Sequence, residues 1–440
     1  MLKKQFTFLI FFITGTLFLF PGFHGDQWNR VTLNDYQGWQ TTSERVVVAR
    51  LAKSQQDGPF SAGGLLGLLD SDTGWIFGKE IADHQYEVYE TGQEIKSYLV
   101  YKSHPGFQGI VFSLFDRVTS FTPTLNLQIF RASVALGSSA ILALLASAIA
   151  IEFGWLAGIF FLFFPVLSEW MILPAGSLYW NLWAFYLPFT SGIFFLANGA
   201  KKNSYPAIGI YSVIFLTTLI KILFTGFELI TTALVMATVP FIYFAVRDRW
   251  NWNIFITRML KLGLVLTLAT ITGLGILAIQ IAANDGNFYS SYEYISDTLN
   301  RRATGNPEDY RGVYAESLEA SAVDVVAKYL SIQAFEIPLG SRTLQVVYAQ
   351  LILMFALFTG IYSFRRRFDM LSPSTRQGVA LAGATWYSLA APLSWYIIFK
   401  PTSYIHTFLF PMAWQMPFVL LGFALCGFVI QEVVKTKTVT

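Results

Sequence analysis

IFRASVALGSSAILALLASAIAI, residues 129–151, carries one charge, Arg131 in its first turn, and none over the rest of the run. An α-helix rises about 1.5 Å per residue, so about 20 apolar residues cross the ~30 Å hydrocarbon core of a bilayer. This stretch is long enough to be a transmembrane helix. Working outward from it, similar runs lie near 5–23, 154–172, 181–198, 205–224, 227–246, 259–282, 344–364, 378–399 and 409–431. Composition agrees: of 440 residues 54% are hydrophobic and only 13% charged, where soluble domains are about a quarter charged. The chain is expected to be an all-α polytopic membrane protein with about ten transmembrane helices.

Charge orients these runs. With Lys3 and Lys4 placed inside and sides alternating, Lys201/Lys202, Arg247/Arg249, Arg258/Lys261, Arg365/Arg366/Arg367 and Lys435/Lys437 all fall inside as well, as the positive-inside rule requires. Both ends are then cytoplasmic, and residues 24–128 and 283–343 form two large external segments. The first run ends in "FPGFHG" without a small-x-small cleavage site, so it reads as a span and not as a cleaved signal peptide. Residues 1–246, with the first external segment, form one expected module, and 247–440, with the second, form a C-terminal region. The net charge of +3 is small and scattered over short loops, which gives nucleic acid no basic patch to bind. Cys426 is the single cysteine, so neither an internal disulfide nor a thiolate metal cluster can form. No internal repeat of the kind found in two-halved transporters is visible.

In the first external segment, "TSERVVVARLAKSQQDG" (42–58) places Thr41, Thr42 and Ser43 as helix caps before Val47, Val48 and Leu51 at helical spacing. A short helix lying on the membrane surface is expected, with Glu44 in its first turn, where the dipole favours an anion. Arg45 and Lys53 are expected to reach water. In "HPGFQGIVFSLFDRVTSF" (104–121), Phe107, Ile110, Val111, Leu114, Phe115 and Val118 follow helical periodicity and predict a second interfacial helix. The segment between them reads as a Gly-, Asp- and Tyr-rich loop without metal spacing, and His84 and His104 read as surface residues.

An apolar span, an acid before a helix, "GPFSAGG", the element "YKSHPGFQG" (101–109), a second helix and the Arg-led "LQIFRASVALG" (127–137) follow one another in this order. This order resembles the GT-C superfamily of membrane glycosyltransferases, in particular its aminoarabinose-transferring and protein O-mannosylating members. The resemblance covers roughly residues 5–200. Ser43 stands where those families have the first of two acids, and Pro105 alone where two prolines are common. Stretches such as "SLYWNLWAFYLPF" also look like a group of uncharacterised bacterial membrane proteins.

The resemblance implies a GT-C-like fold in a bacterial inner membrane. It also implies transfer of a sugar, with inversion, from a polyprenyl-phosphate donor to an external glycan or lipid-linked acceptor. Glu44 matches the family acid and is the expected general base, with Asp35 the competing one; a base must be ionised and within reach of the acceptor hydroxyl. Tyr101, Lys102 and Arg131 match the family's other motif positions. A divalent cation is the one cofactor left open.

The leaving group is a phosphate, so cations are needed to hold its charge. Candidates on the external side are Lys221, then Arg301, Arg302 and Arg311 in "LNRRATGNPEDYRG" (299–312), and Lys400 with Tyr404 and His406 in "FKPTSYIHTFLF" (399–410). Glu169 and Glu228 lie at external membrane edges and could meet an acceptor or a metal. Tyr289, Tyr292, Glu293 and Tyr294, followed by a helix over 314–331, suggest a cap over the membrane part. Two rivals stand beside this reading: a polysaccharide polymerase, and a transporter or flippase of a lipid-linked glycan. A transport path commonly leaves ionisable residues in mid-membrane, whereas Glu152, Glu169, Lys221 and Glu228 fall near span ends.

Overall fold

The computed structural model of the protein describes residues 2–20, 31–70, 79–201, 207–339, 342–366 and 373–437. Residues 21–23 and 205–206 of the apolar runs, with Lys202, Arg367 and the 71–78 part of the first external segment, lie outside the described residues. The described chain is overwhelmingly helical. Its strands form two antiparallel hairpins, Leu66–Leu69 with Tyr98–Tyr101 and Gln333–Leu339 with Arg342–Val347.

Helix lies on every one of the apolar runs. Among the described residues, four helices are by themselves long and apolar enough to cross a membrane: Pro123–Phe153, Ile230–Arg247, Trp252–Asp285 and one over 418–435. The bent pair Trp155–Leu167 and Glu169–Ala175, folded by 79°, makes a fifth if it counts as one span. The apolar helices Gln5–Leu19, Gly209–Thr225 and Tyr348–Phe364 are shorter. The protein is membrane-embedded.

Local chemistry sets the helix ends. Thr122 caps Pro123–Phe153, proline sits at its first position where no N–H is missed, and Gly154 at φ 102 ends it. Trp252–Asp285 runs from an Asn251 cap to Gly286 at φ 80. Only 28% of its apolar window is buried, against 67% for Pro123–Phe153, so it stands at the bundle's edge with its aliphatic side chains outward. The core is aromatic at the opposite extreme of burial: Trp180, Trp395, Trp414, Tyr186 and Tyr396 are almost wholly enclosed.

The first external segment departs from expectation. Thr41, Thr42 and Ser43 do not cap a helix; their hydroxyls donate back to the carbonyls of Gln37 (2.6 Å), Gly38 (2.9 Å) and Trp39 (3.0 Å), the bonding that such residues make inside helices. Helix Leu33–Trp39, the π-segment Gln40–Glu44 and helix Arg45–Asp57 are continuous. The cap is Thr32, in a reciprocal box with Asp35. Asp35 is therefore the acid that faces a helix dipole, and Glu44 is mid-helix. Residues 45–52 are buried on all sides, Arg45 included, so this is a core helix and not one lying on the bilayer.

Between the expected helices, Lys79–Thr91 is a further helix, hidden in the sequence because Gln85 shares its buried side with Ala82, Val88 and Tyr89. Helix Phe107–Val118 forms as expected; of its apolar stripe Phe107, Val111, Leu114, Phe115 and Val118 are exposed, while Ile110 is buried together with Gln108, Gly109, Phe112 and Ser113. Such a helix packs a mixed face on the protein and leaves apolar side chains free for lipid. In the second external segment, the single helix expected over 314–331 is two, Val313–Glu319 and Ala322–Ser331, because Ser321 caps the second.

Candidate functional site

Where helix Ala207–Thr225 meets helix Ile230–Arg247 the chain turns tightly, with Gly226 at φ 60 and Leu229 at φ 50. Lys221 closes that turn: buried, it donates to the carbonyls of Gly226 (3.0 Å) and Glu228 (2.6 Å), with its ammonium 4.9 Å from the centre of the Phe185 ring. A side chain on Gly226 would come within 2.8 Å of His104, so the turn and the "YKSHPG" element are in contact.

The turn presents Glu228. Its side chain is 9% exposed. Oε1 accepts from Arg302 Nη1 at 3.2 Å, while Oε2 is buried without a hydrogen-bond partner. A buried carboxylate oxygen left this way is costly and is an exception to the rule that buried polar groups are paired. Arg302 comes from the π-segment Asn300–Thr304. Burial works against its charge, and Glu228 with Tyr101, Tyr179 and Tyr294 more than offsets that, holding it above its ordinary range.

Aromatic and imidazole groups complete the cluster. The Tyr179 hydroxyl donates to Tyr101 at 3.4 Å, and Tyr179 lies 5.1 Å from the His104 ring. His104 is fully buried and not a surface residue: Nδ1 accepts from the Gly106 N–H at 2.9 Å. Burial first, then Lys221 and Arg302, push its pKa down to about 3, so it stays neutral. His406 faces Glu228 and Arg302; burial lowers it despite the carboxylate, and its Nδ1 is buried without a partner. Tyr294 is tied to Ser103 at 2.6 Å, and Lys102 to Asp285 at 2.6 Å, which fastens the strand end to helices Phe288–Leu299 and Trp252–Asp285.

Thus Tyr101, Lys221, Glu228, Arg302 and His406, spread over three hundred positions of sequence, form one cluster. The remaining candidates lie elsewhere. Lys400 donates to the Leu318 carbonyl at 2.6 Å, Arg301 sits 5.1 Å over Tyr314, Tyr404 lies 6.0 Å from the Lys328 ammonium, and Arg311 is exposed. Asp35 Oδ2 is used in the capping box, and Asp35 and Glu336 are the acids facing Glu169. Sequence reading missed Tyr179 and the burial of His104. No spacing announces either; only the fold brings them together.

Glu44 is a second, separate centre. Its Oε1 accepts from Tyr86 at 2.9 Å and from the Arg131 Nε at 3.0 Å, with Arg131 Nη2 bound as well, and its Oε2 accepts from the Leu178 N–H at 3.2 Å. Four donors surround a carboxylate that is 4% exposed. That arrangement binds helices Lys79–Thr91 and Pro123–Phe153 and the 177–180 turn to the first external helix. Among the described residues no three His, Cys, Asp or Glu side chains are grouped to hold a metal ion.

No family model, no curated protein and no solved structure matches this chain.

Proposed function

We propose that the chain is a membrane glycosyltransferase with ten transmembrane helices and both ends in the cytoplasm. It would take a sugar from a polyprenyl-phosphate donor and transfer it, with inversion, to a glycan or lipid-linked acceptor on the external face. The observation that carries this reading is the Glu228 carboxylate, with one oxygen oriented by Arg302 and the other buried without a partner. The order of motifs along residues 5–200 supplies the reaction class, and the convergence of Tyr101, Lys221, Glu228, Arg302 and His406 supports its location.

In this reading Glu228 Oε2 is the general base. It takes the proton of the acceptor hydroxyl as that oxygen bonds to the anomeric carbon. The bond from that carbon to the phosphate oxygen breaks on the opposite side, and its electrons leave with the phosphate. Arg302 has N–H donors beyond the one on Glu228 and the fork geometry that phosphate oxygens fit, and Lys221 holds the turn that carries Glu228. His406 Nδ1 can meet a sugar hydroxyl. Glu44, with both oxygens engaged, Oε1 by Tyr86 and Arg131 and Oε2 by the Leu178 N–H, is a positioning group that fixes Tyr179 beside the site. The exposed apolar stripe of helix Phe107–Val118 is where the carrier's isoprenoid chain would approach.

The test is sugar transfer by the purified protein in liposomes containing a polyprenyl-phosphate sugar. Formation of a new glycosidic bond that Glu228→Gln abolishes supports the reading. Movement of an intact lipid-linked glycan across the bilayer, with no new bond, supports the transporter instead.

A further inference from the structure

The opposite end of the bundle holds a large cavity that the proposed reaction does not use. It has a volume of about 1070 Å³, at the upper limit of ordinary ligand pockets of about 300–1,000 Å³. Its floor, with Phe189 and Leu421, is apolar. Its mouth has Glu152, Arg247, Arg376 and Gln377.

Depth follows from the helices that line it. On helix Ile230–Arg247 the lining runs from Val239 to Arg247, eight rises or about 12 Å. On helix Leu182–Lys201 it runs from Phe189 to Asn198, about 13 Å. That is close to half of a ~30 Å hydrocarbon core. An apolar slot one leaflet deep with a charged rim has the dimensions of a membrane lipid.

The rim specifies the headgroup. Arg247 is occupied, donating to Glu152 Oε1 at 3.0 Å and to Asp248 at 2.7 and 3.1 Å. Glu152 Oε1 also accepts from Tyr243 (2.8 Å) and Gln377 (3.3 Å). Every one of these bonds uses Oε1, which leaves Oε2 open at a side chain 29% exposed. Among the described residues Arg376 has no side-chain partner. Among the described side chains, Glu152 and Asp248 balance Arg247 and Arg376, and the rim offers one open guanidinium beside one open carboxylate oxygen. We infer that this cavity binds a zwitterionic phospholipid, with its phosphate on Arg376, its primary ammonium on Glu152 Oε2 and an acyl chain in the apolar slot.

The test is native mass spectrometry of the full-length protein in detergent, titrated with dioleoylphosphatidylethanolamine or dioleoylphosphatidylglycerol. The parent should retain the ethanolamine lipid about tenfold more tightly. Arg376→Gln should weaken both lipids by about tenfold, the scale of one charge-assisted contact. Glu152→Gln should remove only the preference between them. Ala148→Trp, which fills the slot from a partly exposed helix position lining it, should weaken both lipids whatever the headgroup. Equal binding of the two lipids by the parent, or parent-like binding by Arg376→Gln or by Ala148→Trp, would overturn the assignment.

Discussion

The Glu44 carboxylate accepts the backbone N–H of Leu178 at 3.2 Å, and the next residue, Tyr179, stands against His104 and hydrogen-bonds to Tyr101 in the Glu228 cluster. A single buried acid in the first external helix thereby sets the position of a ring in a site built mainly from elsewhere. Both oxygens of Glu44 accept hydrogen bonds, whereas Glu228 Oε2 accepts none among the described residues.

Removing Glu44 should therefore show first in stability. Glu44→Ala leaves the half-buried Arg131 beside Tyr86 without its carboxylate, a loss of up to about 3–5 kcal/mol, the cost of a buried pair broken from one side. Glu44→Gln keeps the shape and the bond to Leu178 only in part. Detergent-solubilised Glu44→Ala should unfold at a clearly lower temperature than the parent. Glu44→Gln that folds should keep turnover within about tenfold of the parent, well above the loss expected of a general base.

Donor affinity should depend on Arg302 and not on Lys400. The Lys400 ammonium is held by the Leu318 carbonyl, whereas Arg302 lies in the cluster. Arg302→Gln should weaken binding of a polyprenyl-phosphate sugar by about tenfold or more, for a charge-assisted contact of about 1.5–3 kcal/mol. Lys400→Ala should bind as the parent does. The opposite pattern would move the phosphate site to the Lys400 helix.

Acid should destabilise the fold through His104. Its folded pKa lies at about 3, pushed down by burial, Lys221 and Arg302, below the ordinary value of about 6.5. As pH falls below 6.5 the unfolded chain takes up a proton that the folded one refuses, so stability is full above 6.5 and is lost progressively toward 3. The slope for one proton is about 1.4 kcal/mol per pH unit. His104→Asn, whose carbonyl can replace Nδ1 in accepting the Gly106 N–H, should unfold with a shallower pH dependence over this window.

Topology is open to labelling. Asn306, in the second external segment, and Lys435, near the chain's end, are both exposed. In intact spheroplasts of a Cys426→Ala background, an impermeant thiol reagent should modify Asn306→Cys and spare Lys435→Cys. Labelling of both would contradict the ten-span arrangement.

What was legible in the sequence divides along physical lines. The run 129–151 lies on a helix long and apolar enough to cross a bilayer, and length and apolarity are local properties. Lys221 and Glu228 are visible as charges at apolar edges, and Arg302 and His406 as cation and imidazole candidates on the external side. Glu44 was misplaced because Thr41, Thr42 and Ser43 look alike in sequence whether they cap a helix or bond back within one. Helix Phe107–Val118 has the same periodicity whichever of its side chains are turned to the protein. Tyr179 and His104 were hidden because their roles arise only from tertiary contact.

The most direct test of the account compares Glu228→Gln with the parent in reconstituted sugar transfer, with donor binding measured in parallel. Gln keeps the bond to Arg302 and the side-chain volume but accepts no proton at neutral pH. The account predicts turnover lower by about 10²–10⁴ with donor binding retained. Parent-like transfer by Glu228→Gln, in a protein that binds donor normally, would contradict it.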